Sequence, residues 1–313
     1  MYTLSTATKE FLNHCQYEKN LSTKTLKAYR IDLTQLFQYL HANKLPLAIN
    51  DITKVELRMY LEKISTLKPK SIKRKVATIK AMFNFLEFED KISISPIRKM
   101  RINIKEPKRL PKVLNIAEIQ EIFKVAYNQK NKDLNTDAYR YFEVLRNIVV
   151  IELLFATGAR VSEIANLYTD NVDLESGSVI LKGKGDKERV IQICNVESIR
   201  ILKAYKKLLM KRGANISTFF LINRLGNKLS DQSVRGIVKR FSINAGISRN
   251  ITPHVFRHSF ATLLLEKDVD IKYIQLLLGH SSIMTTQIYT HVNREKQTQI
   301  LKLKHPRREL HMH

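Results

Sequence analysis

Cysteine is scarce: only Cys15 and Cys194 occur in 313 residues, far apart and without metal-ligand spacing. That excludes a disulfide scaffold and a cysteine-rich zinc site, and it fits a reducing cytoplasm. No run of about 18 uncharged apolar residues exists, so no membrane-spanning helix and no membrane partner are expected. The opening MYTLSTATKEFLNHC lacks a basic start followed by an apolar stretch, so no secretory leader is expected. Internal repeats and low-complexity tracts are missing as well. Acidic residues are few, 29 Asp and Glu against 54 Lys and Arg, which leaves a net charge of +25. Hydrophobic residues make up 44%, enough for a core, so a disordered chain is excluded.

An excess of 25 positive charges repels itself unless a polyanion is present, and nucleic acid is the obvious one. The charge is not confined to a tail. Residues 1–106 hold 20 basic and 10 acidic side chains, and the remainder holds 34 and 19. Both halves are basic, as expected for two modules that touch one polymer.

The first hundred residues read as helical. In LSTKTLKAYRIDLTQLFQYL, Leu26, Tyr29, Leu33, Leu36, Phe37 and Leu40 form one stripe, with Ser22 or Thr23 as N-cap and Lys24, Lys27 and Arg30 on the other face. DITKVELRMYLEKI is a second helix capped by Asp51 or Thr53. KSIKRKVATIKAMFNFLEFE is a third, with Ile72, Val76, Ile79, Met82, Phe83 and Leu86 inside and Lys73, Arg74 and Lys80 outside. The proline-rich, aperiodic stretch ISPIRKMRINIKEPKRLPKVL reads as a linker. Beyond it come a helix capped by Asn115, an apolar helix RNIVVIELLFATG stopped by Gly158, and a hairpin in SGSVILKGKGDKERVIQIC. Helices follow in SDQSVRGIVKRFSINAG, TPHVFRHSFATLLLEK, VDIKYIQLLLG and SIMTTQIYTHV, then a basic amphipathic tail.

Four places carry chemistry. In TPHVFRH, Thr252 is a good N-cap and Pro253 a good first residue, so His254 and Arg257 fall in the first turn of a helix. Cations there oppose the helix dipole, which suits a docked anion held by both side chains; a solvated polar turn is the plain alternative. His254 and His258, four apart, lack an acidic or cysteine companion for a metal. Arg160 lies in the break after Gly158, with Glu163 near it to cap or orient, or merely to pair with it at the surface. Lys184 sits between two glycines in GKGDK, which lacks the spacing of a nucleotide-phosphate loop and in isolation is an ordinary charged turn. In LLLGHSSIMTTQIYTHV, His280 follows the capping Gly279, and Tyr289 lies nine residues on.

ATGARVSEIANL, GKGDKERV, HVFRHSFATLLLE and LLGHSSIMTTQIYTHV, in that order, resemble the boxes of the tyrosine site-specific recombinases, the integrase family. LSTKTLKAYRIDLTQLFQYL resembles that family's helical core-binding domain, nearest to Xer-type members. The resemblance implies a mainly α fold with a small β-sheet or hairpin, arranged as a two-domain C-shaped clamp. A SAM-like helical domain is expected over 1–102, a linker over 103–112 and a catalytic domain over 113–313. The implied catalytic set is Arg160, Lys184, His254, Arg257, His280 and the nucleophile Tyr289, with Glu163 accessory. Lys24, Lys27, Arg30, Lys73, Arg74, Lys80 and Lys182 are the expected DNA contacts.

On this reading two arginines grip a phosphodiester and Tyr289 attacks it, with His254 as candidate base and Lys184 as candidate acid. No ATP, metal or other cofactor is expected. Double-stranded DNA carrying a recombination site is the partner, bound by a homo- or hetero-tetramer that passes through a Holliday junction and exchanges C-terminal helices. Ile300, Leu301 and Leu303 would form the exchanged apolar side, a helix packed in cis being the alternative. A DNA translocase is the kind of activator the resemblance admits, and a nucleoid-associated cytoplasmic place follows. Resolution of chromosome or plasmid dimers, tied to chromosome partition and cell division, is the expected role. Integration or excision of a mobile element, a type IB topoisomerase and a non-catalytic DNA-binding protein are the alternatives. Asn147 stands where the family often has Asp, the segment AYNQKNKDLNTDAYRYF is long for an Xer protein, and no arm-binding domain of the lambda type is visible. His305, His311 and His313 are expected in a disordered tail, open to adventitious metal.

Overall fold

Helix α1 (Leu4–Tyr17) starts at Thr3, whose hydroxyl accepts from the Thr6 amide, and it buries Leu4, Ala7, Phe11 and Cys15 along one stripe. Helix α2 (Thr23–Ala42) is capped by Ser22 and buries Leu33, Leu36 and Leu40. Thr53 and Glu56 close a reciprocal capping box on α3 (Lys54–Lys63); Asp51 instead ends a short 3-10 turn. Helix α4 (Pro69–Phe88) begins on proline and buries Ile79, Met82, Phe83 and Leu86. The computed structural model describes residues 1–98, 100–106, 112–132, 138–183, 187–212, 218–279 and 294–310. They divide into two units, Met1–Arg109 and Leu110–His313.

In the first unit the apolar stripes of these helices form one core, each buried aliphatic side chain contributing about 1.5–3 kcal/mol. A polar tie crosses that core. Asp32 of α2 is fully buried and accepts from Arg74 at 2.8 Å, Lys75 at 3.1 Å and Thr78 at 3.1 Å, all on α4. The buried carboxylate is thereby paired, as it must be to leave water. The stretch read as a linker is anchored at both ends. Ile97 packs in the first core and Leu114 in the second, although no periodicity marks either.

The second unit opens with α5 (Ile116–Lys132), where Asn115 and Glu118 cap each other's backbone amides. Helix α6 (Ala138–Thr157) runs through the centre of the unit, buried from Val144 to Ala156. Gly158 ends it at φ +57° and α7 (Val161–Ala165) follows at once. The hairpin is present as β2 (Ser178–Lys182) and β3 (Glu188–Gln192), antiparallel with Val179 opposite Ile191 and Lys182 opposite Glu188. A two-residue strand β1 (Val172–Asp173) pairs with β2 and completes a three-stranded sheet. Helices α8 (Val196–Lys211), α9 (Asp231–Asn244), α10 (Pro253–Glu266), α11 (Ile271–Leu278) and α12 (Arg294–Lys304) complete the unit.

The C-terminal segment bears on the expected tail, and the place expected for His305 needs correction. Leu301 of α12 is fully buried in the core of its own unit, Ile300 is partly buried there, and only Leu303 is exposed. Within this single chain the helix packs on its own unit. His305 is likewise buried, its Nε2 donating to the Ala156 carbonyl at 3.0 Å and its Nδ1 accepting from the Arg307 amide at 2.9 Å. A neutral ring with those two bonds fills a core position, so this histidine is not part of a loose tail. His311 and His313 lie outside the described residues, as do the helix expected over SIMTTQIYTHV and most of the tip of the hairpin.

Gly158 is the most constrained turn of this unit. A Cβ there would stand 2.6 Å from Phe260 Cδ1 and 2.9 Å from Leu278 Cδ2, at a left-handed φ. Gly158→Ala is expected to destabilise the unit by about 2–5 kcal/mol, the sum of backbone strain and overpacking. Gly246→Ala, also at positive φ but with open space around it, should cost no more than about 2 kcal/mol. Equal urea-unfolding losses for the two variants would contradict this.

Candidate active site

The break after α6 turns the chain so that Arg160 becomes the N-cap residue of α7. Glu163 sits three residues on, only 4% exposed. Its Oε2 accepts the Arg160 amide at 2.7 Å and its Oε1 accepts Arg160 Nη1 at 2.8 Å. The same carboxylate takes a second fork from β3: Arg189 Nη1 reaches Oε1 at 3.0 Å and Nη2 reaches Oε2 at 2.7 Å. Burial pushes the Glu163 carboxyl up, but the hydrogen bonds and charges of Arg189 and Arg160 outweigh it and hold the group below its usual range.

The other partner of these arginines is the C-terminal end of α11. Helix ends leave carbonyls without intrahelical donors and carry partial negative charge. Here three successive carbonyls each take one guanidinium. Arg189 Nε donates to Leu277 at 2.8 Å, Arg257 Nη2 to Leu278 at 2.6 Å and Arg160 Nη2 to Gly279 at 3.1 Å. Gly279 ends the helix at φ +63°, and a Cβ on it would press on Arg189 at 3.1 Å. Arg257 also donates to the Gly158 carbonyl at 2.8 Å, so it joins the end of α6 to the end of α11.

Arg257 is 5% exposed. Burial, then the neighbouring charges of Arg160 and Arg189, lower its pKa to about 10, with Glu163 opposing. It is still charged at neutral pH. Among the described residues the cluster thus holds three guanidiniums around one carboxylate. Such an excess in a partly desolvated place favours an anionic ligand.

By sequence Arg257 is expected beside His254 on an open first turn of α10. Thr252 and Pro253 do begin that helix, although the Thr252 side chain makes no cap bond. Arg257, however, turns inward to the two carbonyls that compensate its charge. His254 is exposed, its ring centroid 4.8 Å from that of His258. Lys182 is exposed at the end of β2, paired with Glu188 at 3.0 Å and 5.9 Å from the Tyr168 ring centroid. Lys184, His280 and Tyr289 lie outside the described residues. Of the expected set, Arg160, Arg257 and Glu163 come together, and Arg189 joins them unannounced. Nothing in KERV separates Arg189 from its charged neighbours; only the fold shows that it faces inward.

In the first unit Lys24, Lys27 and Arg30 are exposed on α2, and Lys73, Arg74 and Lys80 on α4. Lys73 pairs with Glu106 at 3.3 Å, and Arg74 is half committed to Asp32. No helix among the described residues is long and apolar enough to cross a membrane.

Comparison with known proteins gives a consistent result. The family described as Phage integrase family matches residues 112–296, and the Phage integrase, N-terminal SAM-like domain matches residues 8–90. A tyrosine recombinase of Agathobacter rectalis is 42% identical over 315 residues, spanning 99% of this chain and 100% of that protein. Tyrosine recombinase XerD of Listeria innocua is 34% identical, spanning 95% and 98%. Among solved structures, the XerH site-specific recombinase bound to difH substrate in a pre-cleavage complex superposes with a TM-score of 0.67 at 25% identity, over 92% of this chain and 83% of that one.

Proposed function

This chain belongs to the phage integrase family and is a tyrosine recombinase, and from that premise we propose that it cuts and rejoins DNA at a specific site through a 3′-phosphotyrosine on Tyr289. The observation that carries the reading is the convergence of Arg160 and Arg257 on adjacent carbonyls, around a carboxylate too few to neutralise them. Each terminal guanidinium nitrogen carries two hydrogens. The named bonds use one on each, so both arginines retain hydrogens for the non-bridging oxygens of a phosphodiester.

The chemistry follows. The Tyr289 oxygen attacks phosphorus, a P–O bond forms, and the P–O5′ bond breaks. Fixed donors on the charge that builds up at phosphorus are each worth about 3 kcal/mol of barrier, by analogy with oxyanion holes. A free phenol has a pKa of about 10, so the proton must leave to a base, for which His254 is the candidate. The departing 5′ oxygen takes a proton from Lys184, the candidate acid, and His280 adds a donor to the phosphate. The bond energy is held in the phosphotyrosine, so rejoining to a new 5′-hydroxyl needs no external energy source.

Two duplexes exchange four strands, and each cut needs one Tyr289, so four protomers act in two rounds through a Holliday junction. The exposed cations of α2 and α4, with Lys182, supply the phosphate contacts that hold the duplex. The likeness to XerD, and to XerH on its difH substrate, supports an Xer-like role in resolving chromosome or plasmid dimers.

The test is a nicked duplex bearing a site selected from random or genomic DNA. Covalent protein at the 3′ side is expected, without ATP. Lys184→Ala should slow cleavage on an ordinary linkage by about 100-fold or more and recover on a bridging 5′-sulfur, whose better leaving group needs no acid. Equal loss on both substrates would remove Lys184 from the acid role.

A further inference from the structure

Arg189 is 11% exposed, and each of its three guanidinium nitrogens is bonded to a protein group. Its Nε goes to the Leu277 carbonyl, and its two terminal nitrogens go to the two oxygens of Glu163. All three nitrogens are therefore fixed in place by protein groups, one strand joined to two helices. The neighbours are tight around it. Gly279 leaves room for its guanidinium, since a Cβ there would stand 3.1 Å from Arg189 Nη1.

The consequence falls on Arg160. Its Nη1 shares Glu163 Oε1 with Arg189, while Oε2 is filled by the Arg160 amide and Arg189 Nη2. A carboxylate that has only Arg160 to answer takes its guanidinium in the bidentate fork both groups prefer. That would draw Arg160 off the Gly279 carbonyl and turn its remaining hydrogens away from the substrate. We propose that Arg189 is a positioning residue for strand cleavage, which saturates Glu163 and pins the end of α11 so that Arg160 stays presented to the scissile phosphate. This role rests on the recombinase reading of the same site.

Arg189→Lys keeps the charge but loses the fork, and Arg189→Gln loses the charge. Both are tested for duplex binding and for single-turnover cleavage. The substrates are an ordinary linkage, a bridging 5′-sulfur linkage and a methylphosphonate, in which a neutral methyl replaces one charged oxygen. Cleavage of the ordinary linkage is expected to fall by about 100-fold, the scale of a misplaced reacting group, while DNA affinity stays within about threefold. On the methylphosphonate there is less charge for Arg160 to balance, so the gap between variant and unmutated protein should narrow to about tenfold or less. The sulfur substrate should leave the full gap.

Parallel loss of binding and cleavage, an undiminished gap on the methylphosphonate, or rescue by sulfur would each overturn the proposal. Absence of any covalent adduct with the unmutated protein is a different result, which sinks the recombinase reading instead.

Discussion

Tyr289→Phe should abolish covalent capture of DNA while leaving duplex binding unchanged. The substitution removes one oxygen, keeps the ring and leaves every residue of the cationic cluster unchanged. The nucleophile itself is lost, and adduct formation should fall by about 10⁴-fold or more, as for other enzymes deprived of their attacking group. The readout is a protein–DNA band that survives denaturation, formed on a nicked duplex that cannot re-ligate. Two buried tyrosines of the second unit make poor substitutes. The Tyr127 hydroxyl donates to Glu152 at 2.5 Å, and Tyr205 donates to the Phe220 carbonyl at 2.9 Å. Burial raises both phenols above their usual range, with the charge of Glu152 adding to it at Tyr127, so neither is a ready nucleophile. An adduct of undiminished yield on Tyr289→Phe would end the assignment.

Most of the frame of this protein is written in its sequence as apolar periodicity. Leu33, Leu36 and Leu40 in α2, or Ile79, Met82, Phe83 and Leu86 in α4, recur at helical spacing and are buried for that reason. Caps such as Ser22, Asn115 and Gly158 mark ends because only certain side chains, or none, suit those backbone positions. Helices α1 and α8 are absent from the sequence reading although Leu4, Ala7 and Phe11, and Leu202, Tyr205 and Leu209, have the right spacing. In each case the apolar stripe is narrow and set among polar or charged residues. Strand β1 is two residues long, too short to have a period at all.

Cations in the interior were the systematic gap. Lys75, Arg257 and Arg307 are buried, and each depends on partners that only folding brings near. Asp32 lies 43 positions from Lys75, Gly158 lies 99 from Arg257, and Glu152 lies 155 from Arg307. A charged residue read in its local context looks solvated, because nothing nearby in the chain announces the acceptor. The candidate site was legible as a set of residue types in order. Its internal wiring, Arg189 above all, was not.

Arg307 illustrates the cost of such a buried group and carries the largest stability effect expected outside the site. Its Nε and Nη2 bond the two oxygens of Glu152 at 3.1 and 2.8 Å, and its Nη1 reaches the Leu310 carbonyl at 2.9 Å. Both charged side chains are about fully buried, 1% and 0% exposed. Arg307→Met should destabilise the second unit by about 3–5 kcal/mol, because it strands a buried carboxylate. Pairing it with Glu152→Leu should recover part of that loss, since the stranded charge is then gone while the Tyr127 and Ser198 hydroxyls lose their acceptor. The adjacent His305 adds a pH dependence with a defined sign. Burial, then the Arg307 charge, lowers its pKa from 6.5 to about 4, against the opposing Ala156 bond and Glu152 charge. Its folded value lies below its unfolded one, so its share of stability is complete above pH 6.5 and is lost as pH falls towards 4. The full loss is on the order of 3 kcal/mol. Protonation at Nδ1 has a visible cost: that nitrogen accepts the Arg307 amide, and a second cation would sit beside the guanidinium. Urea unfolding followed between pH 8 and pH 4.5 should show this slope in the unmutated protein. His305→Gln should lower stability at pH 8 and flatten the slope; an unchanged slope would show that other groups set the acid limit.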